Sequence, residues 1–110
     1  MAYVPDKGDI IWLDFDPSAG KEIIKRRPGF VISRKAFNNH LGLAIVAPIT
    51  STIRGIKLEI ILPDTLITKG SVLVYQLKSL DIFHRKVKFI EKAPKDIITE
   101  VTSLAEIIIS

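Results

Sequence analysis

The sequence predicts a small, mainly β (α+β) protein: a compact antiparallel sheet or small barrel finished by one amphipathic helix. Short apolar runs recur along the first ninety residues with turn signals between them, the spacing changes to a helical period near the C-terminus, and 110 residues are enough for one hydrophobic core. The expectation is one domain, residues 1–110.

Gly8-Asp9 turns the chain into Ile10-Ile11-Trp12-Leu13-Asp14, whose β-branched and aromatic residues suit a pleated, partly buried strand that stops near Asp16-Pro17. From Pro17 to Arg27 neither period is sustained, which predicts a loop carrying most of the local charge. Phe30–Ser33 and Leu43–Ala47 read as buried strands, with Ala36-Phe37-Asn38-Asn39-His40 and Gly42 as the connection. Ile56–Leu62 and, after Gly70, Ser71–Leu77 continue the strand pattern, and another strand is expected from Val87 to Glu91. Ile97, Ile98, Val101, Leu104, Ala105 and Ile108 then form one helical face, with Pro94 suited to the first turn. That helix should pack on the sheet or on a partner chain.

Composition excludes several chemistries. Without cysteine there is no disulfide, thiol nucleophile or cysteine-based zinc site. Residues 1–7 lack a basic start followed by an apolar stretch, and no apolar run is long enough to span a bilayer, so a cytoplasmic protein without a membrane partner is expected. A net charge of +4 and a pI near 9.5 favour an anionic partner.

Metal-assisted hydrolysis needs several converging ligands. Asp14 and Asp16 form the one tight carboxylate pair, no third ligand has helpful spacing, and a solvated strand edge explains them; no metal or other cofactor is expected. His40 and His84 stand far apart in loop-like contexts, and no glycine-rich phosphate cradle is present. The segment Gly20–Pro28 is more informative. Lys21, Lys25, Arg26 and Arg27 gather around Glu22, and Pro28 restricts the backbone that aims Arg27.

Three ordered stretches carry a family resemblance. Gly8-Asp9-Ile10-Ile11-Trp12, Asp16-Pro17-Ser18-Ala19-Gly20-Lys21-Glu22, Arg27-Pro28 and Val31-Ile32-Ser33 resemble the N-terminal signature of the MazF/PemK toxins. Ala47-Pro48-Ile49-Thr50-Ser51 is similar to the second motif of that family, and Val74-Tyr75-Gln76-Leu77-Lys78-Ser79 to its third. The resemblance implies an SH3-like barrel with accessory helices, like the CcdB/PemK folds, and a homodimer. It also implies a toxin that cleaves single-stranded RNA without a metal and is neutralised by a cognate antitoxin.

Carried over by position, the catalytic arginine and threonine of the family fall on Arg27 and Thr50, and Glu22 matches a glutamate tied to activity. Gln76, and by neighbouring motif positions Phe15 and Ser51, match RNA contacts, to which Lys21 and Lys25 add charge. RNA supplies its own nucleophile, the 2′-hydroxyl, so the protein has to stabilise charge on phosphate and move two protons. A guanidinium can do the first and protonate the strongly basic departing 5′-oxygen, but, already protonated at neutral pH, it has no site to accept a proton; the base is Glu22 or a further group. The products implied are a 2′,3′-cyclic phosphate, or its opened form, and a 5′-hydroxyl. This chain departs from the family at Glu22-Ile23-Ile24-Lys25, where an amide and a glycine are common, and at Tyr75, where many members carry an acidic or amide residue. Two other functions remain open: a non-catalytic barrel toxin that inhibits a protein such as DNA gyrase, and an RNA-binding module.

Overall fold

A computed structural model of the chain describes residues 3–15, 26–52, 55 and 58–110. Among these, seven strands form one antiparallel sheet: β1 (Asp9–Asp14), β2 (Arg26–Val31), β3 (Leu43–Thr50), β4 (Glu59–Ile61), β5 (Ser71–Leu73), β6 (Lys78–Asp81) and β7 (Lys88–Lys92). Two helices accompany it, α1 (Lys35–Leu41) and α2 (Lys95–Ile109).

The path runs β4-β5-β3-β2-β1-β7, and β6 pairs with β3 off this path. β3 is the hub. Leu43–Val46 pair with β6 while Ile49 and Thr50 pair with β5, so one long strand holds two short ones along the same edge. Both sheet faces are buried. Ile10, Phe30, Ala47, Ile49 and Val72 meet Ile97, Val101 and Ala105 of α2 in one cluster, with Ile98, Leu104 and Ile108 packed against it. Ile11, Leu13, Phe15, Val31, Ala44, Val46 and Leu80 form the other with Ile82, a core built almost wholly from strands, which requires the sheet to curl over its own face. Burial on both faces explains why β1 and β3 read as near-continuous apolar runs rather than alternating ones.

The expected helical face of α2 is the one that packs on the sheet. Pro94 sits one position earlier than expected, as N-cap, where its carbonyl accepts the Ile98 N–H at 3.0 Å. Other expectations need correction. Arg26, Arg27 and Pro28 belong to β2 rather than to the preceding loop, because Asp14, Leu13 and Trp12 pair with them. Pro28 is paired on one side only, with Trp12 of β1, since the β2–β3 ladder ends at Gly29, and a proline is tolerated where a strand is open on one side. The strand expected through Leu77 ends at Leu73. A single 3₁₀ turn, Val74–Gln76, follows, and Leu77 donates back to the Val74 carbonyl at 3.1 Å before β6 begins. The closed barrel implied by the resemblance is an open sheet here, since among the described residues β4 and β7 end the path unpaired with each other.

The connection at Ala36–His40 is a helix. Two turns are too short to persist on propensity alone, so tertiary contacts must hold α1 in place. Asn38, fully buried, does so: its Nδ2 donates to Pro5 O (2.8 Å) and Ser33 O (3.1 Å), its Oδ1 accepts from Ser33 Oγ, and Ser33 Oγ accepts from the Ile45 N–H at 2.8 Å. One carboxamide thereby joins the N-terminal segment, α1 and the start of β3. Gly42 ends the helix in the left-handed conformation (φ 68°). Among the described residues no helix is long and apolar enough to cross a membrane.

Asn38→Ala strands the buried Pro5 carbonyl and removes a partner from the half-buried Ser33 carbonyl and hydroxyl. It is expected to lower the urea midpoint by an amount equivalent to about 2–3 kcal/mol with the m-value unchanged. A midpoint within about 0.5 kcal/mol of wild type would show that the network carries little stability.

Candidate functional site

Gly29 pairs with Pro48 and Phe30 with Ala47 across the β2–β3 ladder. That ladder ends at Gly29–Pro48, and Arg27 and Thr50 each lie two residues beyond it, at the start of β2 and the end of β3. The two sequence-predicted catalytic residues both line a cavity of about 510 Å³.

Thr50 is held from two sides. Its Oγ1 accepts the Thr52 N–H at 3.2 Å, which orients the hydroxyl and leaves its O–H available as a donor. Gly70 lies against its backbone with φ +113°: a Cβ there would sit 1.9 Å from the Thr50 carbonyl oxygen. Arg26 and Arg27 project differently, as adjacent strand residues must. Arg26 donates to the Lys86 carbonyl at 2.6 Å, tying β2 to the turn before β7, whereas Arg27 forms no hydrogen bond or ion pair with the described residues and extends into the cavity. Arg85 supports the same corner, donating to the carbonyls of Asp14 (2.9 Å) and Phe15 (2.8 Å).

Arg27 also lines a second cavity of about 240 Å³, with Phe15, Pro48, Gln76 and Lys78. Gly29 makes room for the Phe15 ring, which a Cβ would meet at 2.9 Å. Lys78 lies 5.9 Å from the centre of that ring, within cation–π range, and Gln76 Nε2 donates to the Tyr75 hydroxyl at 3.2 Å. The 3₁₀ turn that replaced the expected strand is what swings Gln76 to this position.

The first cavity has an apolar wall of Trp12, Pro28, Ile49, Ile67 and Ile90, and Ser51, Thr68 and Lys69 complete its polar rim with Arg27 and Thr50. Among the described residues lining the two cavities there are three cations and no carboxylate, an arrangement suited to an anion flanked by flat or apolar groups.

Of the residues singled out in the sequence, Arg27, Thr50 and Ser51 share the first cavity, and Phe15 and Gln76 meet Arg27 in the second. Lys21, Glu22 and Lys25 lie outside the described residues, as does Asp16. Asp14, expected on a solvated strand edge, is instead buried. His84 lies 2.6 Å from Asp81 on an exposed turn, and His40 in the last turn of α1; neither lines these cavities. Among the described residues no three of His, Asp or Glu converge as a metal-holding group. Sequence reasoning missed Trp12, Lys78, Ile90 and the segment Ile67–Lys69 as site residues. The one tryptophan of the chain, on a strand and 40% exposed between buried neighbours, was the available signal.

The edge of the first cavity is closed by Glu91 of β7. Its carboxylate accepts the Ile67 N–H at 3.1 Å and the Thr68 N–H at 2.7 Å, bridging the gap that backbone pairing leaves between β7 and the β4–β5 connection. Burial alone would push the Glu91 carboxyl up; the Thr68 and Ile67 donors and the nearby Lys69 charge outweigh it and hold the carboxyl below its ordinary range.

Gly70→Ala combines an unfavourable φ with a backbone collision, and should destabilise the protein by at least about 2 kcal/mol in a urea titration; a neutral outcome would mean the β3–β5 corner can yield. A carboxyl depressed in the folded state adds stability that is present above the unfolded pKa of about 4.3 and lost as pH falls through the folded value. Glu91→Gln should thus be less stable than wild type by a constant margin near neutrality, a margin that shrinks below about pH 4. A margin independent of pH down to about 2.5 would contradict the depressed carboxyl.

The family model for the PemK-like, MazF-like toxin of type II toxin–antitoxin systems matches residues 6–109. The endoribonuclease toxin MazF of Escherichia coli (strain K12) is 40% identical over 78 residues, covering 71% of this chain and 69% of that protein. The endoribonuclease toxin ChpB of the same organism is 34% identical over 101 residues, covering 86% and 85%. Among solved structures, a MazE–MazF crystal structure from Deinococcus radiodurans superposes with a TM-score of 0.91 at 38% identity, over 98% of this chain and 97% of the other. An endoribonuclease in complex with its cognate antitoxin from Mycobacterial species, 14% identical with a TM-score of 0.79, shares the fold. The antiparallel sheet, the cavity shared by Arg27 and Thr50 and these similarities agree: the chain belongs to the PemK-like, MazF-like toxin family of type II toxin–antitoxin systems.

Proposed function

We propose that this protein is a cytoplasmic endoribonuclease toxin, a single domain over residues 1–110 that acts as a homodimer, cleaves single-stranded RNA at short sequences without a metal, and is held inactive by a cognate antitoxin. The observation that carries the reading is that Arg27 and Thr50 line one cavity, while Arg27 also lines a second, and the described charged residues of both cavities are all cationic. Endoribonuclease activity is what the names of the E. coli relatives state, and the MazE–MazF structures supply the precedent for an antitoxin partner.

In this reading the scissile phosphate sits on Arg27, whose planar fork of donors matches two nonbridging oxygens and strengthens as charge builds on the pentacoordinate phosphorus. The Thr50 hydroxyl, oriented by the Thr52 N–H, donates to the same group. The RNA 2′-hydroxyl attacks and the P–O5′ bond breaks, the departing 5′-oxygen taking a proton from the Arg27 guanidinium, which leaves a 2′,3′-cyclic phosphate and a 5′-hydroxyl end. Glu22 is the candidate acceptor of the 2′-hydroxyl proton. Phe15, largely buried but lining the smaller cavity, offers a base an apolar contact, Gln76 an amide to read a base edge, and Lys21, Lys25 and Ser51 contacts to the backbone. Like many disordered inhibitors, an antitoxin tail rich in acidic residues would compete for the same cationic surface.

Incubation of the purified protein with a long single-stranded RNA in excess EDTA should give discrete cuts carrying 5′-hydroxyl ends. Retention of RNA without cuts would replace the nuclease with an RNA-binding module, and neither outcome would favour inhibition of a protein target. Arg27→Ala should lower the single-turnover rate by about a thousandfold and Thr50→Val by about a hundredfold, with melting temperatures near wild type. Full activity of Arg27→Ala would remove it from the chemistry.

A further inference from the structure

The segment between β4 and β5 has no role in the reading above, yet it supplies one whole side of the larger cavity. Its ends are closed by the Leu62 N–H donating to Gly70 O at 2.9 Å, Leu66 is sunk in the core, and the Ile67 and Thr68 N–H groups are held by Glu91. Between these anchors Ile67 is 74% exposed, more than any other large hydrophobic among the described residues. Nothing in the described fold is stabilised by that exposure. An apolar side chain kept in the open on a backbone anchored at both sides is preorganised for an external apolar surface, and it faces the cavity that Arg27, Thr50 and Trp12 also line.

We propose that residues 63–69 form a specificity wall of the RNA site, with Ile67 packing on a nucleobase next to the scissile phosphate, and that Glu91 is the positioning residue that holds this wall. The inference rests on the endoribonuclease reading. Arg27 borders both cavities, so a phosphate bound there directs the nucleotide on one side towards Phe15 and Gln76 and the nucleotide on the other towards Trp12 and Ile67. A base in the second position is contacted by an indole and a branched aliphatic side chain, which discriminate by shape and stacking rather than by hydrogen bonds. Glu91 touches no RNA. It acts by tethering two consecutive peptide N–H groups across a seam that lacks strand pairing, so that the wall stands at a set distance from β1 and β7.

The test compares wild type, Ile67→Ser, Ile67→Leu, Glu91→Ala and the Ile67→Ser/Glu91→Ala double variant. Each is assayed for steady-state cleavage of an RNA oligomer that wild type cuts, and for the sequences at cut ends in a randomised RNA pool. Ile67→Ser should raise KM about tenfold, leave kcat within about twofold, and relax the base preference on one side of the cut only. Ile67→Leu should bring KM back to within about threefold of wild type. Glu91→Ala should reproduce the KM effect, and the double variant should be no worse than about twofold beyond either single change, because both act through one wall. Ile67→Ser with wild-type KM and cut pattern overturns the wall. A Glu91→Ala loss confined to kcat, or a fully additive double variant, overturns the positioning role. Should Glu91→Ala not fold, the Ile67→Ser and Ile67→Leu pair decides alone. A wild-type protein that leaves the RNA pool uncut overturns the nuclease reading itself, an outcome separate from equal cutting by wild type and Ile67→Ser.

Discussion

The antiparallel register between β2 and β3 is the constraint on which the rest of the molecule depends. Side chains alternate between faces, so this one alignment sends Phe30 and Ala47 into the cluster beneath α2 and Val31 and Val46 into the cluster enclosed by the curled strands. A slip of one residue would exchange the two sets and bury the wrong face everywhere along both strands. The same alignment brings the start of β2 near the end of β3, where the Arg27 guanidinium and the Thr50 hydroxyl line one cavity. Core packing and the chemistry of the site are thus set by a single geometric choice, and the hydrophobic effect that enforces the first enforces the second.

How much was legible in the sequence depended on whether a feature is encoded by neighbours in the chain or by partners distant from it. The apolar face of α2 recurs every three or four residues, and each of its six members packs into the same cluster. β1 and β3 were legible from their apolar runs. By contrast α1 exists because Asn38 is engaged by Pro5 and Ser33, groups 33 and 5 residues away, and no local propensity announces that engagement. Val74–Leu77 has the composition of a strand but turns once as a 3₁₀ helix, since the chain must leave β5 at one end of β3 and return as β6 at the other. Composition cannot reveal that requirement; topology can.

The site divides along the same line. Arg27, Thr50, Phe15 and Gln76 were found through motifs whose order along the chain resembles a known family, and the sheet brings them together. Ile67, Lys69 and Ile90 were missed because each is an ordinary residue in its local context and gains meaning only from the cavity it borders. Glu91 was read as the end of a strand. Its carboxylate turns out to close the seam between the two ends of the sheet, a task that backbone hydrogen bonds perform in a barrel and one carboxylate performs here.

The hairpin from Leu62 to Gly70 is closed by a backbone bond at its mouth and joined to the rest of the molecule at few points: Leu62 and Leu66 in the core, and two N–H groups on a neighbouring carboxylate. None of these attachments involves the outward side chains at its tip. The tip can therefore diverge as an exchangeable cassette, free to vary in composition while its mouth keeps Gly70 against Thr50. With Ile67 as the proposed specificity contact, such a cassette would let substrate choice drift without disturbing Arg27 and Thr50, so that new specificities could arise on an unchanged frame.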